Sequence, residues 1–214
     1  MIEKAHTTHQ FDNELTRLFS SVMEMGGLIE FQLRQIIAAA GAADAGIAQA
    51  LLARGRDVTS YKDKLDRDTM LMISRRQLAA RDLRLVMAIS RIAAQLQRIN
   101  DEVFRAASAL TTADGQLQAL PTTDWRAGAD LASGVLSRAL SAFERLDMSL
   151  AQSIVTADAH AASELSALHE QMLARMREAP ETIAACVATL MLSNAMSRIA
   201  DGARAVAAIT LTTE

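Results

Sequence analysis

The sequence predicts an all-α protein made of two pseudo-symmetric, antiparallel three-helix bundles, with six long helices in total. Half of the residues are hydrophobic but only 3% are aromatic, and two prolines leave long uninterrupted runs, which is typical of helices with small-residue cores. Apolar residues spaced by four and three positions along 81–107 define one buried helix face. The same face returns when 100 is added to each number, so the two sets are Leu85, Ile89, Ile92, Leu96, Ile99, Val103, Ala106 and Ala185, Thr189, Leu192, Met196, Ile199, Ala203, Val206.

The repeat also predicts how the chain divides. The sequence reads LQRIND from residue 96 and MSRIAD from residue 196, which indicates a duplicated unit about half the chain long. The one shift in composition, TTADGQLQALPTTD at 111–124, lies between the two units. We therefore expect a first three-helix bundle over residues 1–112 and a second over 113–214.

The first predicted helix begins at Phe11, after a short frayed lead-in, and ends near Gly41. Gly26 and Gly27 lie in its middle, where each costs about 1 kcal/mol relative to alanine. Close approach of a neighbouring helix, a slight bend, or a ligand passing over the helix would each explain them.

The second predicted helix follows Asp44, which can cap its first turn. The alternating charges of 54–68 indicate a solvated face. Residues 70–73, all apolar, are expected to return to the core, and Arg75 and Arg76 close the helix at its negative end. The third helix is the one that carries the repeated face.

In the second half, a fourth helix is expected from about Trp125 to Thr156, with Asp124 as a candidate N-cap. A fifth helix begins at Asp158, and Pro180 occupies the first position of the sixth. The expected apolar face of the fourth helix consists of Leu131, Val135, Leu136, Leu140, Phe143, Leu146 and Leu150.

Composition argues against several functional classes. The net charge of −3, without a lysine or arginine cluster, does not favour nucleic-acid binding. No run of about 18 residues is both strongly apolar and free of charge, so no transmembrane helix is expected. The start of the chain does not read as a secretory signal. Cys186 is the single cysteine, which excludes an internal disulfide and fits a reducing cytosol.

An enzyme is also not expected. The sequence has no phosphate loop, nucleophile elbow, zinc-protease motif or C-x-x-C pair, so we assign no catalytic and no cofactor-binding residue. Cys186 lies on an apolar stretch, where a buried inert thiol is favoured over a nucleophile. His160 and Glu164 are one helical turn apart, and a solvated pair explains them better than a metal site.

Asp101 and Asp201 are the candidate metal ligands, because they lie outside the buried face and yet recur at matched positions. A second acid one turn earlier would place two carboxylates on one helix face. Those positions hold Gln97 and Ser197, which are not anionic. The pair can therefore be ordinary surface aspartates, or residual ligands helped by Glu30, Asp57 or Asp158.

The sequence resembles the PhoU family of cytoplasmic regulators of bacterial phosphate-specific transport. The resemblance rests on HTTHQFDNELTRLFSSVMEMGGLIEFQL near the start and on RRQLAARDLRLVMAISRIAAQLQRIND in the third helix, with the diverged MSRIADGARAVA in the sixth. It implies two three-helix bundles, a homodimer and no catalytic reaction. It also implies contact with a sensor histidine kinase and with the ATPase subunit of the phosphate ABC transporter, so that the Pho regulon is repressed and uptake restrained.

Some members of the family bind metal clusters through a Glu/Asp-x-x-x-Asp motif in the third and sixth helices. The motif maps onto Gln97 to Asp101 and Ser197 to Asp201, and its first acid is missing in both halves. Because the number of anionic ligands sets affinity for hard cations, we expect at most weak divalent-metal binding. A metal-binding PhoU-like protein and a diverged paralogue with a changed partner remain as alternatives, as does a purely structural helical dimer.

The candidate partner surface is the charged helix end formed by Arg76, Arg81, Asp82 and Arg84. Charged groups at an interface give orientation and a faster association rate. The same residues fit simple capping of helix ends equally well. Any membrane contact would be indirect, through the partners.

Overall fold

The computed structural model describes residues 2–42, 44–53, 57–75, 78–113, 122–157 and 161–213, with side chains except at 2–11, 57, 122–124 and 161–166. Over these residues the protein is almost entirely helical. The helices are α1 (Ile2–Ala42), α2 (Ala45–Ala53), α3 (Asp57–Arg75), α4 (Ala80–Thr112), α5 (Thr122–Arg145), α6 (Met148–Thr156), α7 (Ala161–Glu178) and α8 (Ile183–Thr210). Short 3₁₀ turns, Pro180–Thr182 and Leu211–Thr213, flank α8.

The two repeated faces lie in the core, as the sequence predicted. On α4, every member of the set from Ile89 to Ala106 is buried and Leu85 is half-buried. On α8, the whole set from Ala185 to Val206 is buried, including Thr189, whose hydroxyl donates to the carbonyl of Ala185. A 3.6-residue period keeps such residues on one side of a helix.

These two helices are central to the molecule. In the first half α1, α2 and α3 pack on α4, and in the second half α5, α6 and α7 pack on α8. The halves meet where α4 lies along α8 and α1 along α5. Ile99 is beside Gly202 and Glu102 is beside Arg198, so α4 and α8 run antiparallel. The main buried cluster therefore extends through both halves.

Each half contains a helix break that separates a long helix from a short one. Asp44 accepts a hydrogen bond from the amide of Gly46 at 2.8 Å, which confirms it as the cap of α2. In the second half Asp147 caps α6 by accepting from the amide of Leu150 at 2.9 Å, after Leu146 adopts a φ of 49°. The unbroken helix predicted up to Thr156 was therefore wrong, because an N-cap aspartate stabilises a new start.

Other boundaries also differ from the prediction. α1 begins at Ile2, so the residues before Phe11 continue the helix and form no frayed lead-in. α5 begins at Thr122, which places Asp124 inside the first turn and not at the cap. Residues 54–56 fall between α2 and α3, outside the described residues. Pro180 does begin the turn that leads into α8, as expected.

Two predicted apolar faces are only partly buried. Of residues 70–73, Met72 is buried, whereas Met70 is 67% exposed and Leu71 and Ile73 are also exposed. Four consecutive helical residues point in four directions, so they cannot all reach the core. On α5, Leu131 is exposed, and the core positions of its first half are taken by Trp125, Ala129 and Ala132.

The two central glycines of α1 have different surroundings. A Cβ on Gly26 would lie 2.6 Å from Cδ2 of Leu140 on α5, whereas a Cβ on Gly27 would meet nothing within 4 Å. Close approach of a neighbouring helix, one of the expected explanations, therefore applies to Gly26. Glycine at this position lets α1 and α5 pack closely.

One helical stretch among the described residues, Pro180–Thr213, is long and apolar enough by composition to cross a membrane. The sequence-based expectation overlooked it because it admitted no charge within such a run. In the protein, 56% of its most apolar window is buried. Contacts with α4, α5, α6 and α7 account for this apolar character, since a central helix is covered on several sides.

Candidate functional site

The first metal-motif pair lies on α4. Asp101 is exposed, and its Oδ1 accepts a hydrogen bond from Nε2 of Gln97 at 3.1 Å. The spacing of four residues puts both side chains on one helix face. Oε1 of Gln97 is buried and has no hydrogen-bond partner among the described residues. The amide thus occupies the position of the missing acid and holds the aspartate through a neutral donor.

The second pair lies on α8 and has a different partner. Oδ1 of Asp201, an exposed residue, accepts a hydrogen bond from Nη1 of Arg204 at 2.7 Å, so the carboxylate is already neutralised by a cation. Ser197, one turn earlier, is half-buried and brings no charge. A divalent cation would have to compete with the guanidinium for this carboxylate.

The described residues do not gather a set of ligands around either aspartate. Across the part of the chain with described side chains, no three histidine, cysteine, aspartate or glutamate residues come together to hold a metal ion. Of the three helper carboxylates, Glu30 lies half-buried on α1. Asp158 and the side chain of Asp57 lie outside the described residues.

The candidate partner surface begins at the first turn of α4. Arg81 and Arg84 are exposed, and Asp82 is half-buried in the first turn, where its charge favours the positive end of the helix. Arg76 lies outside the described residues. The structure thus brings together three of the four predicted residues, and Asp82 can serve the helix end as well as a partner.

Sequence reasoning missed the apolar side chains on this surface. Leu83 is 39% exposed and Met87 is 45% exposed, and the exposed Arg91 follows one turn later. We call Arg81, Leu83, Arg84, Met87 and Arg91 the α4 surface. Its apolar centre and charged edge have the composition of a protein-binding patch. The signal was present, because Leu83 and Met87 are apolar residues outside the predicted buried face.

The start of α8 carries a corresponding exposed stripe. Adding 100 to Leu83 and Met87 gives Ile183 and Val187, which are 46% and 41% exposed, and Met191 is exposed one turn further. The duplication has thus preserved an outward apolar stripe in addition to the buried one. Core packing does not require these residues, since they face away from it.

Cys186 is fully buried. Its sulfur lies 3.7 Å from Oγ1 of Thr182, and the residue packs in a small cluster with Leu168 and Met172. A substrate has no access to a buried thiol of this kind. The location agrees with the inert thiol predicted from the sequence.

Comparison with known proteins identifies the family. The model of the PhoU domain matches this chain twice, over residues 22–110 and 127–210. The chain belongs to the PhoU family. One match begins in α1 and ends in α4, and the other begins in α5 and ends in α8, so each half of the repeat carries one PhoU domain. The expected boundary between residues 112 and 113 stays a prediction.

PhoU proteins are similar to this chain over nearly its whole length. A phosphate-specific transport system accessory protein PhoU homolog from a Burkholderia species is 31% identical over 99% of this chain and 91% of its own length. The phosphate-specific transport system accessory protein PhoU of Escherichia coli K12 is 31% identical over 92% of this chain and 81% of its own. The crystal structure of PhoU from Pseudomonas aeruginosa matches with a TM-score of 0.88 at 28% identity, covering 95% of this chain and 98% of that one.

Proposed function

We propose that this PhoU-family chain is an accessory protein of a phosphate-specific transport system and a negative regulator of phosphate signalling and uptake. It acts in the cytoplasm as a homodimer, without catalysing a reaction, by binding a sensor histidine kinase and the ATPase subunit of the phosphate ABC transporter. Family membership supports the proposal, and the relatives bear the name of accessory proteins of that system.

The observation that carries the proposal is the α4 surface. Leu83 and Met87 expose apolar area to water with arginines around them, an arrangement that stabilises a complex when a partner covers it. Buried apolar side chains at the centre of such a patch supply most of the affinity. The surrounding arginines favour a partner with acidic residues and increase the association rate.

The test is the affinity of the purified protein for the ATPase subunit and for the cytoplasmic part of the kinase. We expect Met87→Glu to weaken binding to at least one of them by about tenfold or more, because a central contact is worth over about 1.4 kcal/mol. Leu131→Glu is the matched control, since Leu131 is 43% exposed on α5 and lies outside the α4 surface.

Equal loss of binding in both variants would assign the effect to general damage and count against the α4 surface. Wild-type protein that binds neither partner would contradict the proposed function. That outcome would favour the diverged paralogue suggested by the loss of both motif acids.

For metals, we propose that the protein binds Mn²⁺ or Mg²⁺ weakly at most and does not need either for partner binding. Asp101 is hydrogen-bonded to Gln97 and Asp201 is paired with Arg204, so each of the two motifs supplies a single carboxylate. Gln97→Glu should therefore increase Mn²⁺ affinity in calorimetry, because it restores an anionic ligand one turn from Asp101.

Gln95→Glu is the control for added charge, since a residue six positions before Asp101 does not share its turn. A wild-type protein that binds Mn²⁺ tightly, or that needs it to bind the kinase or the ATPase, would contradict this proposal and support the metal-binding alternative.

A further inference from the structure

A groove with a volume of about 480 Å³ lies between the last turns of α1 and the first turns of α5. Its described lining includes no metal-motif position and no residue of the α4 surface. The two helices run antiparallel here, because Gly26 is beside Leu140 while Gly41 is beside Arg126. The groove is large enough for a small molecule.

The charge of the groove is positive. Among the described residues that line it, Arg34 comes from α1, Arg126 comes from α5 and Asp130 is the one acid, so two cations and one anion leave a net charge of +1. Within the described part of the chain, neither guanidinium has a hydrogen-bond or ion-pair partner. Two guanidinium groups without a carboxylate partner can bind the oxygens of an anion.

The rest of the lining leaves space beside these arginines. Ala38 and Ala42 bring only methyl groups from α1 and Gly41 has no side chain, so that a Cβ built there would lie 3.9 Å from Nη1 of Arg126. Ser133 adds a hydroxyl that can donate a hydrogen bond. The groove thus combines two cations, a neutral donor and room for a ligand next to them.

The fold itself does not require this charge. The caps Asp44 and Asp147 are 103 residues apart (147 minus 44), and the same offset relates α1 to α5. With this offset Arg34 corresponds to Ser137, and Arg126 corresponds to Met23. Neither corresponding position is an arginine. The two arginines are therefore specific to this groove and are not a feature that the repeated fold requires.

We propose that this groove binds a phosphate-type oxyanion, held between Arg34 and Arg126. A tetrahedral anion presents oxygens in several directions and can meet guanidinium groups from two opposing helices. Free inorganic phosphate and the terminal phosphate of a nucleotide share this chemistry. The inference stands apart from the proposed partner binding, since it uses a different surface of the molecule.

The experiment is calorimetric titration of the full-length protein with inorganic phosphate and, separately, with ATP, in a chloride buffer. Arg34→Gln and Arg126→Gln should each lower the affinity about tenfold, the effect of losing one charge-assisted hydrogen bond. Asp130→Asn should raise it, because it removes an opposing negative charge from the described lining. Arg17→Gln is the control, since Arg17 is an exposed arginine on α1 outside the groove.

Binding of phosphate that follows this pattern supports the proposal and identifies the free anion as the ligand. Binding of ATP alone with the same pattern supports it with a nucleotide as the source. No binding of either at millimolar concentration, or an affinity that the Arg34→Gln/Arg126→Gln double variant leaves unchanged, would overturn it. Thermal unfolding of each variant verifies that the fold is intact.

Discussion

Asn100 is a polar residue in the core of the molecule. It is 2% exposed on α4, and its Oδ1 has no hydrogen-bond partner among the described residues. The corresponding position in the repeat is Ala200, which is also buried. A buried carbonyl oxygen that loses water without gaining a donor costs about 1–3 kcal/mol.

We therefore expect Asn100→Ala to raise the free energy of unfolding by about 1 kcal/mol, measured by urea denaturation. Asn194→Ala is the control, because Asn194 is a half-buried helical residue whose amide donates to the carbonyl of Leu190. Both variants gain the same helix propensity. The difference between their changes in the free energy of unfolding therefore measures the effect of removing the buried oxygen. A decrease in stability for Asn100→Ala would contradict the cost assigned here to the buried oxygen.

The candidate metal ligands Asp101 and Asp201 show which properties of a single residue the sequence can predict. Their exposure followed from the sequence, since Asp101 and Asp201 lie outside the buried face. Their partners did not, because Arg204 and Gln97 each had several rotamers open to them and only the folded surroundings selected one. These contacts are the physical reason for expecting weak metal binding.

At the scale of helices, the packing of α4 on α8 depends on a small residue. A Cβ on Gly202 would lie 2.7 Å from Cγ1 of Ile99, which is itself buried. The position that corresponds to Gly202 on α4 is Glu102, which pairs with Arg105 at 3.1 Å and with Arg198 across the interface at 3.4 Å. The crossing is thus asymmetric, with a close contact on one side and an exposed ion-pair network on the other.

Gly202→Ala should lower the free energy of unfolding, because overpacking costs about 1–3 kcal/mol and alanine recovers only about 1 kcal/mol of helix propensity. Gly27→Ala should instead raise it by about 0.5–1 kcal/mol, since its Cβ enters open space. Chemical denaturation of the two variants side by side measures both. A stabilised Gly202→Ala variant would mean that α4 and α8 separate easily.

At the scale of the whole molecule, the two halves share one core. Buried residues of α1, α4, α5 and α8 belong to a single cluster, and the contact of α4 with α8, one of the two most extensive helix contacts among the described residues, joins the halves. The first repeat unit on its own would expose to water the faces of α4 and α1 that pack against α8 and α5 in the whole chain. Repeats of this kind stabilise each other through their shared interface.

We therefore expect the chain to unfold in one cooperative transition by calorimetry, and a fragment of residues 1–112 to lack stable tertiary structure. The calorimetric and van't Hoff enthalpies should agree for the full chain. Two separate transitions, or a fragment with a cooperative melt of its own, would show that each PhoU domain folds independently.

The sequence predicted the buried faces of some helices better than those of others. The faces of α4 and α8 were predicted almost residue by residue, because a helix buried along one side must repeat with its own period. α5 was less predictable, because alanines fill much of its core and its break depends on Asp147, which reads as an ordinary surface residue until the turn forms. The α4 surface was predicted in part: the sequence identified Arg81 and Arg84 but missed Leu83, Met87 and Arg91.

By itself, the sequence determined the helical class, the duplication, the buried faces of the two central helices and the family, since these follow from local periodicity and residue identity. Only the tertiary structure decided which glycines contact a neighbouring helix, what pairs with Asp101 and Asp201, and that Arg34 and Arg126 line one groove. The reason is that these features join residues about 90 or more positions apart, or depend on rotamers, and helix periodicity carries no information on either.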